Sequence, residues 1–79
     1  MKSVDERVLC IFSDILGIDH KRISDDTSPE NTPEWDSLAA MNLVSAVEEE
    51  FQINLTTTDI MKMRSIAIVK KVIAEKEVV

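Results

Sequence analysis

The stretch PEWDSLAAMNLVSAVEEEFQINL, which runs from Pro33 to Leu55, carries the clearest structural pattern in this 79-residue sequence. A polar segment gives way to an amphipathic one at Asp36 and Ser37, and both residue types commonly mark the start of a helix. At about 100° per residue, the apolar residues that follow fall on one face, which predicts a helix from Ser37 to Phe51. We expect this face to lie in the core, with Ala40, Leu43, Val44, Val47 and Phe51 on it.

The opposite face of this predicted helix is polar, but two apolar side chains interrupt it. The polar face carries Asn42, Ser45 and Glu49. Leu38 projects on the same side, directly after Ser37, and Met41 lies at its border. A single exposed leucine is uninformative, whereas a Leu–Met pair beside a serine at a helix start is a candidate contact surface. Two interpretations of Ser37 stay open: it caps the helix, or its hydroxyl serves another molecule.

Local signals also bound a first helix and a long loop. Ser3 and Glu6 fit a capping box, and Gly17 is placed to end the helix in a left-handed conformation. The first helix is therefore predicted from Val4 to Leu16. Its apolar stripe is Val4, Val8, Ile11, Phe12 and Ile15. Residues 18–35 form a polar loop that Ile18, Ile23 and Trp35 are expected to pin, with Trp35 covering the bundle end rather than serving as an exposed anchor.

The remaining signals complete an all-α fold. Thr56 to Met61 reads as a short helical turn with a threonine cap, and Ser65 can cap a last helix. The apolar stripe of that helix is Ile66, Val69, Val72 and Ile73. We therefore predict one domain over residues 1–79, a small bundle of three main helices plus one short helix, with a long loop between helices one and two.

Composition limits the functional classes. The chain is 44% hydrophobic, enough for a compact core, and its formal net charge of −6 disfavours nucleic acid as a partner. Cys10 is the only cysteine, which fits a reducing compartment, and no apolar run is long enough to span a bilayer. The expected location is the cytoplasm, without membrane insertion.

Catalytic motifs do not appear in the sequence. His20 is the only histidine and Gly17 the only glycine, so a histidine-based metal site, a histidine pair and a glycine-rich phosphate loop are all excluded. Ser37 lacks a Gly-x-Ser-x-Gly context, and the acidic residues of the loop lack the spacing of an EF-hand. We predict no catalytic residues and no metal site, and an enzyme that acts alone is disfavoured.

With WDSL opening a helix, EEEF closing it, TTTDI in a short helix and an amphipathic last helix, the chain resembles the acyl carrier and peptidyl carrier protein family. The resemblance covers almost the whole chain. It implies that Ser37, between Asp36 and Leu38, carries a covalent 4'-phosphopantetheine arm that a separate transferase takes from coenzyme A. It also implies that Asp36 contacts that transferase or its metal. Acyl or aminoacyl intermediates would ride on the arm as thioesters, and the chain itself would not be an enzyme.

The resemblance also implies a set of partners. These are a phosphopantetheinyl transferase, an acyl- or aminoacyl-loading enzyme and a downstream synthase or transferase, each meeting a monomeric carrier. The expected contact residues on helix two are Leu38, Met41, Asn42, Ser45, Glu48 and Glu49. Acidic side chains would steer the approach.

The chain departs from many fatty-acid carriers in two places. Glu34 stands where those carriers have glycine, and alanines follow Leu38 where acidic residues are common. These departures favour a dedicated carrier from polyketide, nonribosomal-peptide or sugar-modification chemistry over the housekeeping fatty-acid carrier. The alternative function is an unmodified helical adaptor that binds a partner through the same face of helix two.

Overall fold

The computed structural model describes residues 3–77, which form an all-α bundle. Its helices are α1 (Val4–Leu16), α2 (Ser37–Phe51), α3 (Thr57–Lys62) and α4 (Ile66–Glu77). A short 3₁₀ turn, His20–Arg22, lies in the loop between α1 and α2. The predicted fold class is confirmed, and so are both ends of α1 and of α2.

Side-chain caps explain why the first helix begins and ends where it does. The Glu6 amide donates a hydrogen bond to Ser3 Oγ at 3.2 Å, and the Glu6 side chain accepts one from the Ser3 amide, which completes the predicted capping box. At the other end Gly17 adopts the left-handed conformation (φ 68°) and its amide donates to Ser13 O. Both predicted signals therefore act as expected.

The core lies between one stripe of each long helix. The stripes consist of Val8, Phe12 and Leu16 of α1, Leu43, Val47 and Phe51 of α2, and Ile66, Val69, Val72 and Ile73 of α4. The prediction for α2 missed Ala39, which is buried, and placed Val44 in the core although it is only half-buried. Ala40 is half-buried and packs against the core, as predicted. Residues 39, 43, 47 and 51 form one i, i+4 ridge, and helices pack through such ridges. Ala40 and Val44 lie one position further round the helix, beside α3.

Buried side chains anchor the long loop, as predicted. Ile18 and Trp35 are buried, and the Trp35 ring meets Phe12 edge-to-face with centroids 5.0 Å apart. Two further anchors, Thr27 and Thr32, are also buried but were not predicted, since threonine is usually exposed. These buried side chains fix the position of the loop, and with it the start of α2.

Backbone contacts also fasten this loop to α4. The amides of Ile66 and Ala67 donate to the carbonyl oxygens of Thr27 and Asp25, at 3.0 and 3.1 Å. The first amides of a helix lack partners within the helix, so the loop satisfies two of them. Lys70 adds an ion pair to Asp25 at 2.7 Å, and this contact raises the pKa of Lys70.

A carboxylate at the start of α3 joins this short helix to α4. Asp59 accepts hydrogen bonds from Lys76 Nζ at 2.8 Å and from the Thr56 amide at 3.0 Å. Its hydrogen bonds to Lys76 and then to Thr56 lower the pKa of Asp59 from 3.8 to about 2. The folded state thus favours the charged carboxylate, so the contact stabilises the fold above pH 3.8 and is lost as the pH falls through about 2.

We therefore expect an NMR titration to show the Asp59 carboxyl changing protonation near pH 2, below the ordinary aspartate pKa of 3.8. Asp59→Asn should remove this part of the acid dependence of unfolding, whereas Asp14→Asn, on the exposed face of α1, should leave it in place. A midpoint for Asp59 near 3.8 would contradict the assigned contacts.

Candidate functional site

The start of α2 is set by its cap residue, and that residue is Asp36. Asp36 has an extended backbone, and its Oδ1 accepts a hydrogen bond from the Ala39 amide at 2.9 Å. The Asp36 carbonyl accepts the first helical bond, from the Ala40 amide. Trp35, directly before it, is held in the core. The helix start is therefore fixed from both sides of Asp36.

Ser37 is the first residue of the helix and does not cap it. Its side chain is exposed, and among residues 3–77 its hydroxyl has no hydrogen-bond partner. The interpretation of Ser37 as a cap is wrong, because the neighbouring carboxylate already fills that role. The hydroxyl is left free to react with or bind another molecule.

The electrostatics at Ser37 suit a negatively charged group. Ser37 lies at the N-terminus of a 15-residue helix, where unpaired amides and the helix dipole produce a partial positive charge. The adjacent carboxylate of Asp36 accepts the Ala39 amide through Oδ1, and among residues 3–77 no hydrogen bond joins the Ser37 hydroxyl to either Asp36 oxygen. A serine hydroxyl without a base is a weak nucleophile. The site can receive a phosphate group but cannot activate its own serine.

Most of the predicted contact residues lie on the open face of α2. Leu38, Met41, Asn42, Ser45 and Glu49 are all exposed. Glu48 differs, since it is half-buried and its Oε2 accepts a hydrogen bond from the Leu55 amide at 2.8 Å. The structure therefore brings five of the six residues together on one surface and gives the sixth a contact that holds the loop after α2.

A cleft between α2 and α3 was not anticipated from the sequence. It measures about 290 Å³ and is lined by Ala40, Met41, Val44, Ser45 and Ile60. Ile60 and its exposed neighbour Met61 belong to α3. The sequence did carry a signal for this cleft, namely the adjacent apolar residues Ile60 and Met61. A helix of only six residues cannot bury both of them. α3 therefore shares the surface that continues from Ser37.

Neither a metal centre nor a membrane span forms in the described part of the chain. Within residues 3–77 no three histidine, cysteine or acidic side chains cluster in a way that could hold a metal ion. Across the same range, every helix is too short or too polar to cross a bilayer.

The sequence of this chain is similar to those of known proteins. A family model described as "Phosphopantetheine attachment site" matches residues 6–70. The chain is 32% identical over 66 residues to the acyl carrier protein of Buchnera aphidicola subsp. Schizaphis graminum (strain Sg). The aligned residues make up 84% of this chain and 84% of the relative. The acyl carrier protein of Buchnera aphidicola subsp. Acyrthosiphon pisum (strain Tuc7) has the same identity, with 84% of this chain and 82% of the relative covered.

Proposed function

We propose Ser37 as the attachment residue, on the premise that this chain belongs to the phosphopantetheine-binding family of acyl carrier proteins. Its function is that of a carrier rather than a catalyst: acyl intermediates travel on a covalent 4'-phosphopantetheine arm. The observation that supports Ser37 is its free, exposed hydroxyl at the first position of α2, next to a carboxylate that caps the helix in its place.

The chain exposes this serine at the start of α2 but provides no base that would deprotonate it. When the arm is attached, the Ser37 oxygen forms a phosphodiester with the phosphopantetheine phosphate, and the pyrophosphate bond of coenzyme A breaks. The serine proton and the nucleotide leaving group must be handled by the transferase and its metal. The N-terminal amides of α2 then lie near the negative phosphodiester, a contact of about 0.3–1 kcal/mol at an exposed helix end.

Partners of three kinds would use this site. Carriers of the family work with transferases and synthases, and for this chain we propose a phosphopantetheinyl transferase, an acyl- or aminoacyl-loading enzyme and a downstream synthase or transferase. All three must reach Ser37, so they would meet the exposed face of α2 at Leu38, Met41, Asn42, Ser45 and Glu49. These contacts should dissociate quickly, because the carrier passes from one enzyme to the next.

Loading with acetyl-coenzyme A distinguishes a carrier from an unmodified adaptor. A broad-specificity phosphopantetheinyl transferase with magnesium should transfer the acetylated arm to the chain as a single mass addition. Neutral hydroxylamine should then remove the acetyl group and leave the arm, because it cleaves a thioester faster than a phosphodiester. An adaptor would gain no mass, and an acetyl group on a lysine would resist hydroxylamine.

Two substitutions of Asp36 separate its role as a helix cap from the role of its negative charge. Asp36→Ala removes the cap, so we expect the free energy of unfolding to fall by about 0.5–2 kcal/mol. Asp36→Asn keeps a capping oxygen and should unfold within about 0.5 kcal/mol of wild type. If the carboxylate contacts the transferase or its metal, Asp36→Asn should still slow arm attachment by about tenfold or more.

Chemical denaturation and initial rates of attachment measure the two effects. If arm attachment to Asp36→Asn proceeds at the wild-type rate, Asp36 serves only as the cap of α2.

A further inference from the structure

We propose that Arg22 is a contact residue for the phosphate of the phosphopantetheine arm, with its guanidinium bridging the Glu34 carboxylate and the phosphodiester formed at Ser37. The inference rests on the proposed function of Ser37 and adds to it a residue of the loop between α1 and α2. It gives a role to a basic side chain that lies outside the face of α2 offered to partner enzymes.

Arg22 lies at the end of the bundle where α2 begins. Arg7, in the first turn of α1, pairs with Glu50 near the end of α2, so the two helices run antiparallel. The end of α1, and the 3₁₀ turn that follows it, therefore lie beside the start of α2. Arg22 Nη1 donates to Glu34 Oε2 at 3.3 Å, which joins this turn to the segment directly before Ser37.

The separation of Glu34 and Ser37 is short on the scale of electrostatic interactions. Three residues of fully extended chain span at most about 11 Å, which limits the distance between the two Cα atoms. The screening length is about 10 Å at 0.1 M salt. A cation held at Glu34 and a negative charge on Ser37 are therefore only partly screened from each other. The long, flexible side chain of Arg22 covers the remaining distance by rotation about its own bonds.

Arg22 is the least firmly paired of the three arginines in the sequence, each of which forms an ion pair with a different glutamate. Arg7 pairs at 2.9 Å and also donates to the Glu50 carbonyl, and Arg64 pairs with Glu30 at 2.6 Å. Arg22 makes the longest contact, through one nitrogen. A guanidinium has five N–H donors, so four donors of Arg22 have no partner within residues 3–77.

The carboxylates around Ser37 create a need for positive charge. Glu34 Oε1 is buried without a hydrogen-bond partner in residues 3–77, and Asp36 uses Oδ1 to cap α2. A phosphodiester adds a third negative charge within residues 34–37. Across the described residues, Arg22 is the cation that forms an ion pair with this segment. Arginine binds phosphate through parallel N–H donors, so Arg22 can hold the new charge while one nitrogen stays on Glu34.

The arginine Nε–H signals in ¹H–¹⁵N NMR spectra of the ¹⁵N-labelled chain report on this contact. Spectra are recorded before and after incubation with a broad-specificity phosphopantetheinyl transferase, coenzyme A and magnesium, and intact mass confirms one arm. The Arg22 signal is expected to move more than those of Arg7 and Arg64, which are ion-paired controls in the same molecule. An Arg22 signal that moves no more than the other two overturns the proposal.

Thermal unfolding separates this contact from a purely structural role of the Arg22–Glu34 pair. The shift in Tm on arm attachment is measured for wild type, Arg22→Gln and the matched control Lys21→Gln. Loss of the Glu34 contact acts on Arg22→Gln with and without the arm, so it cancels in the shift. Lys21→Gln removes the same charge from the same 3₁₀ turn. Its side chain points about 120° away from that of Arg22, and residues 3–77 give it no ion pair.

Arm attachment is expected to shift the Tm of Arg22→Gln about 2–6 °C further down than that of wild type in about 0.05 M NaCl, which corresponds to an exposed ion pair. The shift for Lys21→Gln should match wild type within about 1 °C. In about 0.5 M NaCl the screening length falls about threefold, so the difference at Arg22 should shrink. Equal shifts for Arg22→Gln and wild type at low salt overturn the proposal.

Intact mass separates this inference from the proposed function. If wild type accepts no arm, the function and the inference both fail. If wild type accepts one arm at Ser37 while the Arg22 signal and the Tm shifts match their controls, only the role of Arg22 fails.

Discussion

The Ser37→Ala variant is expected to accept no phosphopantetheine arm and to keep its fold. The hydroxyl oxygen is the atom that would form the phosphodiester, so its removal leaves nothing to modify. The fold should survive because the cap of α2 is Asp36, and the Ser37 side chain is exposed without a hydrogen bond to residues 3–77. We expect a complete loss of mass gain, with a free energy of unfolding within about 0.5 kcal/mol of wild type.

A serine on the same helix face provides the matched control. Ser45 is also exposed on α2 and lies eight positions after Ser37, along the same face. Ser45→Ala should gain one arm like wild type, measured by intact-protein mass after the same incubation. Modification of Ser37→Ala, or loss of modification in Ser45→Ala with Ser37 intact, would move the attachment site to another residue.

Phe12→Ala should give the largest loss of stability. Phe12 of α1 is fully buried in the core, where its ring meets that of Trp35 edge-to-face with centroids 5.0 Å apart. Replacing a buried phenylalanine by alanine costs about 3–5 kcal/mol. A domain of this size has a total stability of about 4–12 kcal/mol. The variant should therefore lose about a quarter or more of its stability, and the start of α2 should lose its anchor.

Urea denaturation followed by circular dichroism measures this loss. Leu38→Ala is the control, since it removes an exposed apolar side chain and should change stability by about 0.5 kcal/mol or less. A loss below about 1 kcal/mol for Phe12→Ala would mean that Trp35 and the loop are held by other contacts.

Local sequence signals were enough to predict the helices. They did not decide between adjacent residues for the same role. Ser3, Glu6 and Gly17 act on residues close to them in sequence, so the bounds of α1 could be read directly. At α2 both Asp36 and Ser37 are good caps, and only the observed bond from the Ala39 amide to Asp36 decides between them. Ala39 is buried more deeply than Ala40 because of where the neighbouring helices pack, and the periodicity of α2 alone does not show this.

Contacts between distant residues were the other part beyond prediction. The three glutamates at the end of α2 look equivalent in sequence, yet Glu48 binds the Leu55 amide and Glu50 pairs with Arg7, 43 positions away. Two residues that suggested a specialised pathway also have structural roles. Ala39 is buried in the core, and Glu34 pairs with Arg22 at 3.3 Å. These contacts do not test the pathway, and the specialised pathway stays a prediction.

The most direct measurement of the central claim is the intact mass of the wild-type chain after incubation with coenzyme A, magnesium and a broad-specificity phosphopantetheinyl transferase. Fragmentation then locates the added mass, and a carrier protein known to accept the arm is treated in parallel. We predict a gain of one phosphopantetheine, located at Ser37. An unchanged mass while the parallel carrier is modified, or an arm on another residue, would contradict the assignment of Ser37.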